Sequence, residues 1–136
     1  MRVWGVSGLV VAALAGATIS GAARAEVPVE VSTIDGYQVT IHLHDFLTEQ
    51  ELGVFRLIGS NSQMLQAFLQ GGTGFGAMAL SPDDGYIRGG LPSGSASARM
   101  GLADAQAAAA SALETCNAAR TGAAECVVVL ELGPAG

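Results

Sequence analysis

The sequence predicts a small single α+β domain, an antiparallel or mixed sheet with two or three helices held by one disulfide. Three observations carry this prediction. Segments of period-two alternation are interspersed with segments of helical spacing. An alanine-rich run from Ala103 to Ala119 is followed, after Thr121-Gly122, by the apolar run Val127-Val128-Val129-Leu130. The only two cysteines, Cys116 and Cys126, stand on that helix and at the opening of that strand, in a chain whose first residues read as an export signal.

Met1 to Ala25 reads as a secretory signal peptide. Arg2 supplies a minimal basic start, Val3 to Ala17 an almost unbroken apolar core, and Ala23-Arg24-Ala25 a small-residue cleavage site. The apolar run is shorter than the roughly 20 residues that span a bilayer, so no stable membrane span is expected after cleavage. Removing 25 of 136 residues leaves 111, enough for one domain over 26–136 and too few for two. Periplasmic or secreted localisation follows, and with it an environment that permits disulfides. The acidic mature chain would hold four arginines, Arg56, Arg88, Arg99 and Arg120, against twelve carboxylates, a formal charge of −8. Those arginines are spread along the chain, so nucleic-acid binding is excluded as an expectation. The chain also contains no lysine. That rules out Schiff-base chemistry, attachment of pyridoxal phosphate and a lysine-bearing phosphate loop.

Glu26 to Ser32 alternates Val27, Val29 and Val31 with polar residues, the pattern of a half-buried strand. Asp35-Gly36 turns the chain and Tyr37 to Leu43 alternates again, giving a β-hairpin with a loop somewhat longer than the tightest kind. Thr48 followed by Glu51 is a capping box, and Leu52, Phe55 and Ile58 continue along one helical face that should end near Gly59. Ser60-Asn61-Ser62 either recaps a second helix carrying Met64, Leu65, Phe68 and Leu69 or kinks a single helix over 48–70. Phe75 to Leu80 and Tyr86 to Arg88 flank Ser81-Pro82-Asp83-Asp84-Gly85, which reads as the turn of a second hairpin. Gly89 to Gly101 reads as a Gly/Ser loop. In the alanine-rich helix Asp104 falls in the first turn, Arg120 in the last, and Ala105, Ala109, Leu113 and Cys116 share one face, with Gly122 as the left-handed terminator. A Cys116–Cys126 bridge closes a loop of roughly ten residues and should stabilise the domain by about 2.5 to 3 kcal/mol.

Gly76-Ala77-Met78-Ala79-Leu80-Ser81, then Ala108, Ala112-Leu113 and Cys116, then Cys126-Val127-Val128-Val129 form a series of motifs. Through them the segment 75–132 resembles a family of small exported bacterial domains of unknown function. These share a gAiA strand, an alanine helix ending A-L-x-x-C, and a C-x-V-V strand. The whole chain is also similar to short exported proteins that sometimes carry a 5-aminolevulinate synthase label. That label is rejected here, because the chemistry needs a lysine that this chain lacks.

Several constellations carry potential chemistry. His42 and His44, the only histidines, lie two apart on a strand, so both imidazoles would project from one face and could hold Zn²⁺ or Cu²⁺ with a carboxylate such as Glu30 or Asp35 as third ligand. Gly72 to Ala77 satisfies G-x-G-x-x-A but sits between a helix and a strand, the reverse of the dinucleotide-binding context. Asp83 and Asp84 read as turn formers. Ser93, Ser95 and Ser97 lack the strand-turn-helix elbow of a nucleophile. Phe55, Phe68, Phe75, Tyr37 and Tyr86 read as packing groups. No residue is assigned a catalytic role and no cofactor is expected. The resulting functional expectation is a non-catalytic binding or structural module of the cell envelope. It would contact an unknown protein or envelope component through Leu91 and Met100. The alternative is a metal-binding protein or metal-assisted hydrolase centred on His42 and His44.

Overall fold

The computed structural model describes residues 27–135. The signal expected over Met1 to Ala25 lies outside these residues. In chain order the elements are β1 (Val29–Ile34), β2 (Tyr37–His42), α1 (Glu49–Ile58), α2 (Ser62–Leu69), β3 (Phe75–Leu80), β4 (Ile87–Arg88), β5 (Leu91–Pro92), β6 (Ser97–Leu102), α3 (Ala105–Ala119) and β7 (Val127–Pro134). Five strands form one sheet in the order β1-β2-β7-β3-β6, every neighbouring pair antiparallel, and β4 and β5 form a separate two-stranded hairpin. This is the expected α+β domain with three helices.

Two helix layers enclose the sheet unequally. On one face Val39, Ile41, Met78, Leu80, Leu130 and Leu132 pack against Phe55, Ile58, Leu65 and Leu69 of α1 and α2. On the other, Ala77 and Ala79 of β3 meet Ala108, Ala112 and Cys116 of α3. From Ala77 to Leu80 the alternation along β3 separates large from small side chains, with Phe75 packed beside the alanine cluster, and the methyl-lined face lets α3 approach the sheet closely. α3 lies over β3, β6 and β7. The outer half of that same face, formed by β1 and β2, stays open, with Val29, Val31 and Gln38 exposed.

The disulfide joins Cys116 to Cys126 with Cα atoms 6.1 Å apart. It ties α3 to β7, the strand central between β2 and β3. The buried face of α3 runs through Ala108, Ala112 and Cys116 rather than the expected Ala105 and Ala109. Asp104 is the cap itself, accepting from the Ala107 N–H at 2.8 Å. Gly122 is not a left-handed terminator: α3 ends at Arg120 in extended conformation, and Gly122 is required because an added Cβ would collide with the Asp83 carboxylate.

Other expectations are corrected, and the open choice over 48–70 is resolved. The first hairpin has the tightest loop, two residues, because Thr33 and Ile34 stay in the ladder and Asp35 and Gly36 both take positive φ, 53° and 81°. Residues 48–70 make two helices, since Asn61 accepts from the Met64 N–H and starts α2 afresh. The second expected hairpin does not form. β3 is consumed by β6 and β7, and β4 pairs instead with β5 across Gly89-Gly90. The expected Gly/Ser loop thus contains two strands. Small residues hide their alternation, and β6 tolerates them because it is an edge strand bordered by a bulge. Finally, Val27, Val29 and Val31 do alternate, but toward solvent: they are 39%, 49% and 56% exposed.

Candidate functional site

The most heavily anchored non-core element is the β4–β5 hairpin, and its anchor is a buried charge. Glu51 occupies the third position of α1, where the capping box makes its Oε1 accept from the Thr48 N–H at 2.9 Å while Thr48 Oγ1 accepts from the Glu51 N–H at 3.1 Å. Its other oxygen reaches out of the helix. Oε2 accepts from the backbone N–H groups of Tyr86 at 2.6 Å and Ile87 at 2.8 Å, and from Arg88 Nε at 3.3 Å. The Arg88 guanidinium also donates to the Phe46 carbonyl at 3.0 Å. Glu51 is fully buried. Burial pushes its carboxyl upward, but the N–H donors of Thr48, Ile87 and Tyr86 together with Arg88 outweigh this and hold it at about 2. A permanent carboxylate therefore fixes both the start of α1 and the base of the hairpin.

The hairpin's other end is latched as well. Ser93 N–H donates to the Tyr86 carbonyl at 2.7 Å. Buried Ser95 donates through Oγ to Asp84 Oδ2 at 2.7 Å, and Asp84 accepts further from the Thr121 hydroxyl at 2.6 Å and the Thr121 N–H at 3.2 Å. The Thr121 and Ser95 hydroxyls and the Thr121 N–H lower the Asp84 carboxyl below its ordinary value. Asp83 accepts from the Ala124 N–H at 3.1 Å. Asp83 and Asp84 thus do more than form a turn: they bind it to the α3–β7 connection. Between this latch and the hairpin lies an open cavity of about 490 Å³ lined by Asp84, Arg88, Leu91, Ser95 and Thr121 among others. Leu91 stands at its rim, 72% exposed, on β5.

Met100 is elsewhere. It belongs to β6, is partly buried against the α1/α2 side of the core, and lines a separate cavity of about 320 Å³ with Phe68, Leu69 and Arg99. The two residues expected to contact a partner together therefore line different cavities, and only Leu91 projects freely.

The histidines project toward β7. His42 Nε2 lies 2.9 Å from Glu131 Oε1, and His44 Nε2 lies 3.0 Å from the Val128 carbonyl oxygen, with the His44 ring stacked on Phe46. The carboxylate beside His42 is Glu131, not the expected Glu30 or Asp35. Glu30 is instead held by Arg56 through bonds of 2.6 and 3.0 Å. Among the described residues no group of three or more His, Cys, Asp or Glu side chains is placed to hold a metal ion. The Ser93 and Ser95 hydroxyls bond to each other and Ser95 donates on to Asp84, so both serve the latch.

Sequence reasoning found the capping box of Glu51 but not its second task, because Tyr86 and Ile87 are bonded through backbone N–H groups that leave no residue signature. Arg88 was the one available hint, a cation close to the turn. Comparison with protein-family models, curated proteins and solved structures returned no match to this chain.

Proposed function

We propose that the protein is a non-catalytic recognition module of the cell envelope, exported to the periplasm or beyond, whose contact element is the β4–β5 hairpin with Leu91 at its tip. One observation carries this reading. A solvent-exposed leucine sits on a short hairpin outside the main sheet, and that hairpin is clamped at its base by buried Glu51 and along its return by the Asp84–Ser95–Thr121 latch. A projecting element gains no core packing from such immobilisation. Its value is preorganisation, since an already ordered loop loses less conformational freedom when a partner docks. Export is supported by the apolar N-terminal pattern with its small-residue cleavage site and by the Cys116–Cys126 bridge. None of the helices described is long and apolar enough to cross a membrane.

The test is site-specific photo-crosslinking in the native host. A photoreactive residue in place of Leu91 should give a discrete adduct of defined mass, and the same residue at exposed Gln50 should not. Equal labelling from both positions, or none from position 91, refutes the assignment. Intact mass of the exported form gives the cleavage site directly and should correspond to a chain beginning at Glu26.

A further inference from the structure

The two edges of the five-stranded sheet are treated very differently. β6 carries Arg99, a register shift against β3 and Gly101 at φ +82°, devices that keep an edge from pairing with another chain. β1 has none of them. Its register against β2 runs unbroken from Val29↔His42 to Ile34↔Tyr37, and its one charge, Glu30, is already neutralised by Arg56 at 2.6 Å. Glu30 and Ser32, through Arg56 and the Gly59 carbonyl, also tie β1 down on the α1 side, so the edge is held straight.

Backbone parity says which groups are free. In an antiparallel ladder, alternate residues exchange hydrogen bonds with the partner strand and the residues between them point outward. The Leu43 N–H donates to the Pro28 carbonyl at 2.8 Å, and the two-residue loop closes on Ile34↔Tyr37. Pro28, Glu30, Ser32 and Ile34 therefore face β2. Val29, Val31 and Thr33 aim both N–H and C=O away from the sheet. Their side chains lie on the face that α3 leaves open, where Val29 and Val31 are the exposed apolar groups.

We infer that β1 is a homodimer edge, pairing antiparallel with β1 of a second copy about a two-fold axis at Val31. In that register Val31 opposes Val31 of the partner copy, and Val29 opposes Thr33. All three outward-facing residues exchange both backbone bonds with their opposites. The register also meets the charge requirement: Glu30 stands opposite Ser32, not opposite another Glu30. The strand is thus complementary to itself, which favours a second copy as the occupant over an unrelated strand. Two five-stranded sheets become one, and the valines of both copies meet across the axis on its open face.

The full-length gene product, as purified, should show a reversible monomer–dimer equilibrium in sedimentation velocity over a micromolar to submillimolar range. Because the chain is acidic, −6 in full and −8 once the expected signal is removed, added salt should tighten it. Val31→Pro removes an outward N–H that β2 does not use, so the monomer should keep its circular dichroism and melting temperature while the dimer dissociation constant rises at least about tenfold. Should that variant fail to fold, Val31→Lys, which sets like charges against each other on the axis, decides the same point. Register is read by cysteine cross-linking. Opposed residues that exchange hydrogen bonds lie about 5.5 Å apart at Cα, within the about 4.4–6.8 Å that a disulfide spans. Val31→Cys should form a covalent dimer on oxidation, Val29→Cys alone should not, and Val29→Cys combined with Thr33→Cys should. A monomer throughout the range, a dimer indifferent to both substitutions at Val31, or Val29→Cys cross-linking as readily as Val31→Cys overturns the inference.

Discussion

Replacing Glu51 by glutamine should remove most of the acid sensitivity of this fold and a large part of its stability at neutral pH. The native carboxyl is held at about 2, against an ordinary value of 4.5. At about 1.4 kcal/mol per pKa unit the difference corresponds to about 3 kcal/mol. The sign follows from the direction: a folded-state value below the unfolded one contributes stability that is fully present above about pH 5 and disappears as pH falls toward 2. Glutamine keeps the size of the side chain. Either way round, however, its amide nitrogen would face backbone N–H donors, those of Tyr86 and Ile87 or that of Thr48, and Arg88 would lose its counter-charge. Urea unfolding followed by circular dichroism at pH 7, 5, 3 and 2 measures both effects. The wild type should lose about 3 kcal/mol more than Glu51→Gln across the acid window, and the two should converge near pH 2. Parallel pH profiles, or equal stability at pH 7, would show that the carboxylate does not anchor the hairpin.

Loss of the bridge should be comparably costly. Cys116→Ala with Cys126→Ala, or full reduction, releases a constraint of sequence separation 10 and should lower stability by about 3 kcal/mol, read from the denaturant midpoint with and without reductant. Leu91→Ser and Met100→Ser should separate cleanly in thermal melts. The first, 72% exposed, should leave the melting temperature unchanged. The second removes a thioether packed between β6 and the α1/α2 core and should cost about 1 to 3 kcal/mol. Equal shifts would show that Leu91 is a packing residue and would weaken the recognition reading.

The elements most legible in the sequence were those whose signal is local. The Thr48–Glu51 box, the alanine run and the branched run after Cys126 each specify backbone conformation within a few residues, and each became α1, α3 or β7. The disulfide was legible because two cysteines allow only one pairing. What could not be read was choice among partners. β3 looked ready to pair with the segment after its turn, yet the ladder with β7 and β6 buries Ala77, Met78, Ala79 and Leu80 on two faces, and a hairpin to the two-residue β4 buries far less. β1 shows the same limit from the other side. Its alternation was correct, but alternation does not say which face meets a helix, and the face turned toward α1 is that of Glu30 and Ser32, bonded to Arg56 and the Gly59 carbonyl. The hairpin site combined both difficulties, since its anchors are backbone N–H groups bonded to a carboxylate 35 and 36 residues earlier.

The places left for recognition follow from the covering capacity of one helix. An α-helix with its side chains is about 10 Å wide, and strands lie about 4.8 Å apart, so a single helix shields two or three strands. Five strands need two helices per face. α1 and α2 meet that need on the side of the large side chains, whereas α3 stands alone on the other and, being drawn in by the alanines of β3 and tied to β7 by Cys116–Cys126, is fixed over one half. The opposite half, with β1 at its margin, is left uncovered by the described residues. Pairing along that margin with a second β1 extends the sheet and needs no rearrangement of any packed element. The β4–β5 hairpin lies outside the five-stranded sheet, held by polar anchors in place of a core. The open half with β1 at its margin thus traces to the small side chains Ala77 and Ala79 under α3, and widening that face with Ala77→Leu or Ala79→Leu should displace α3 and destabilise the fold by about 1 to 3 kcal/mol. A stable, well-packed leucine variant would break this link between the alanine face and the open half of the sheet.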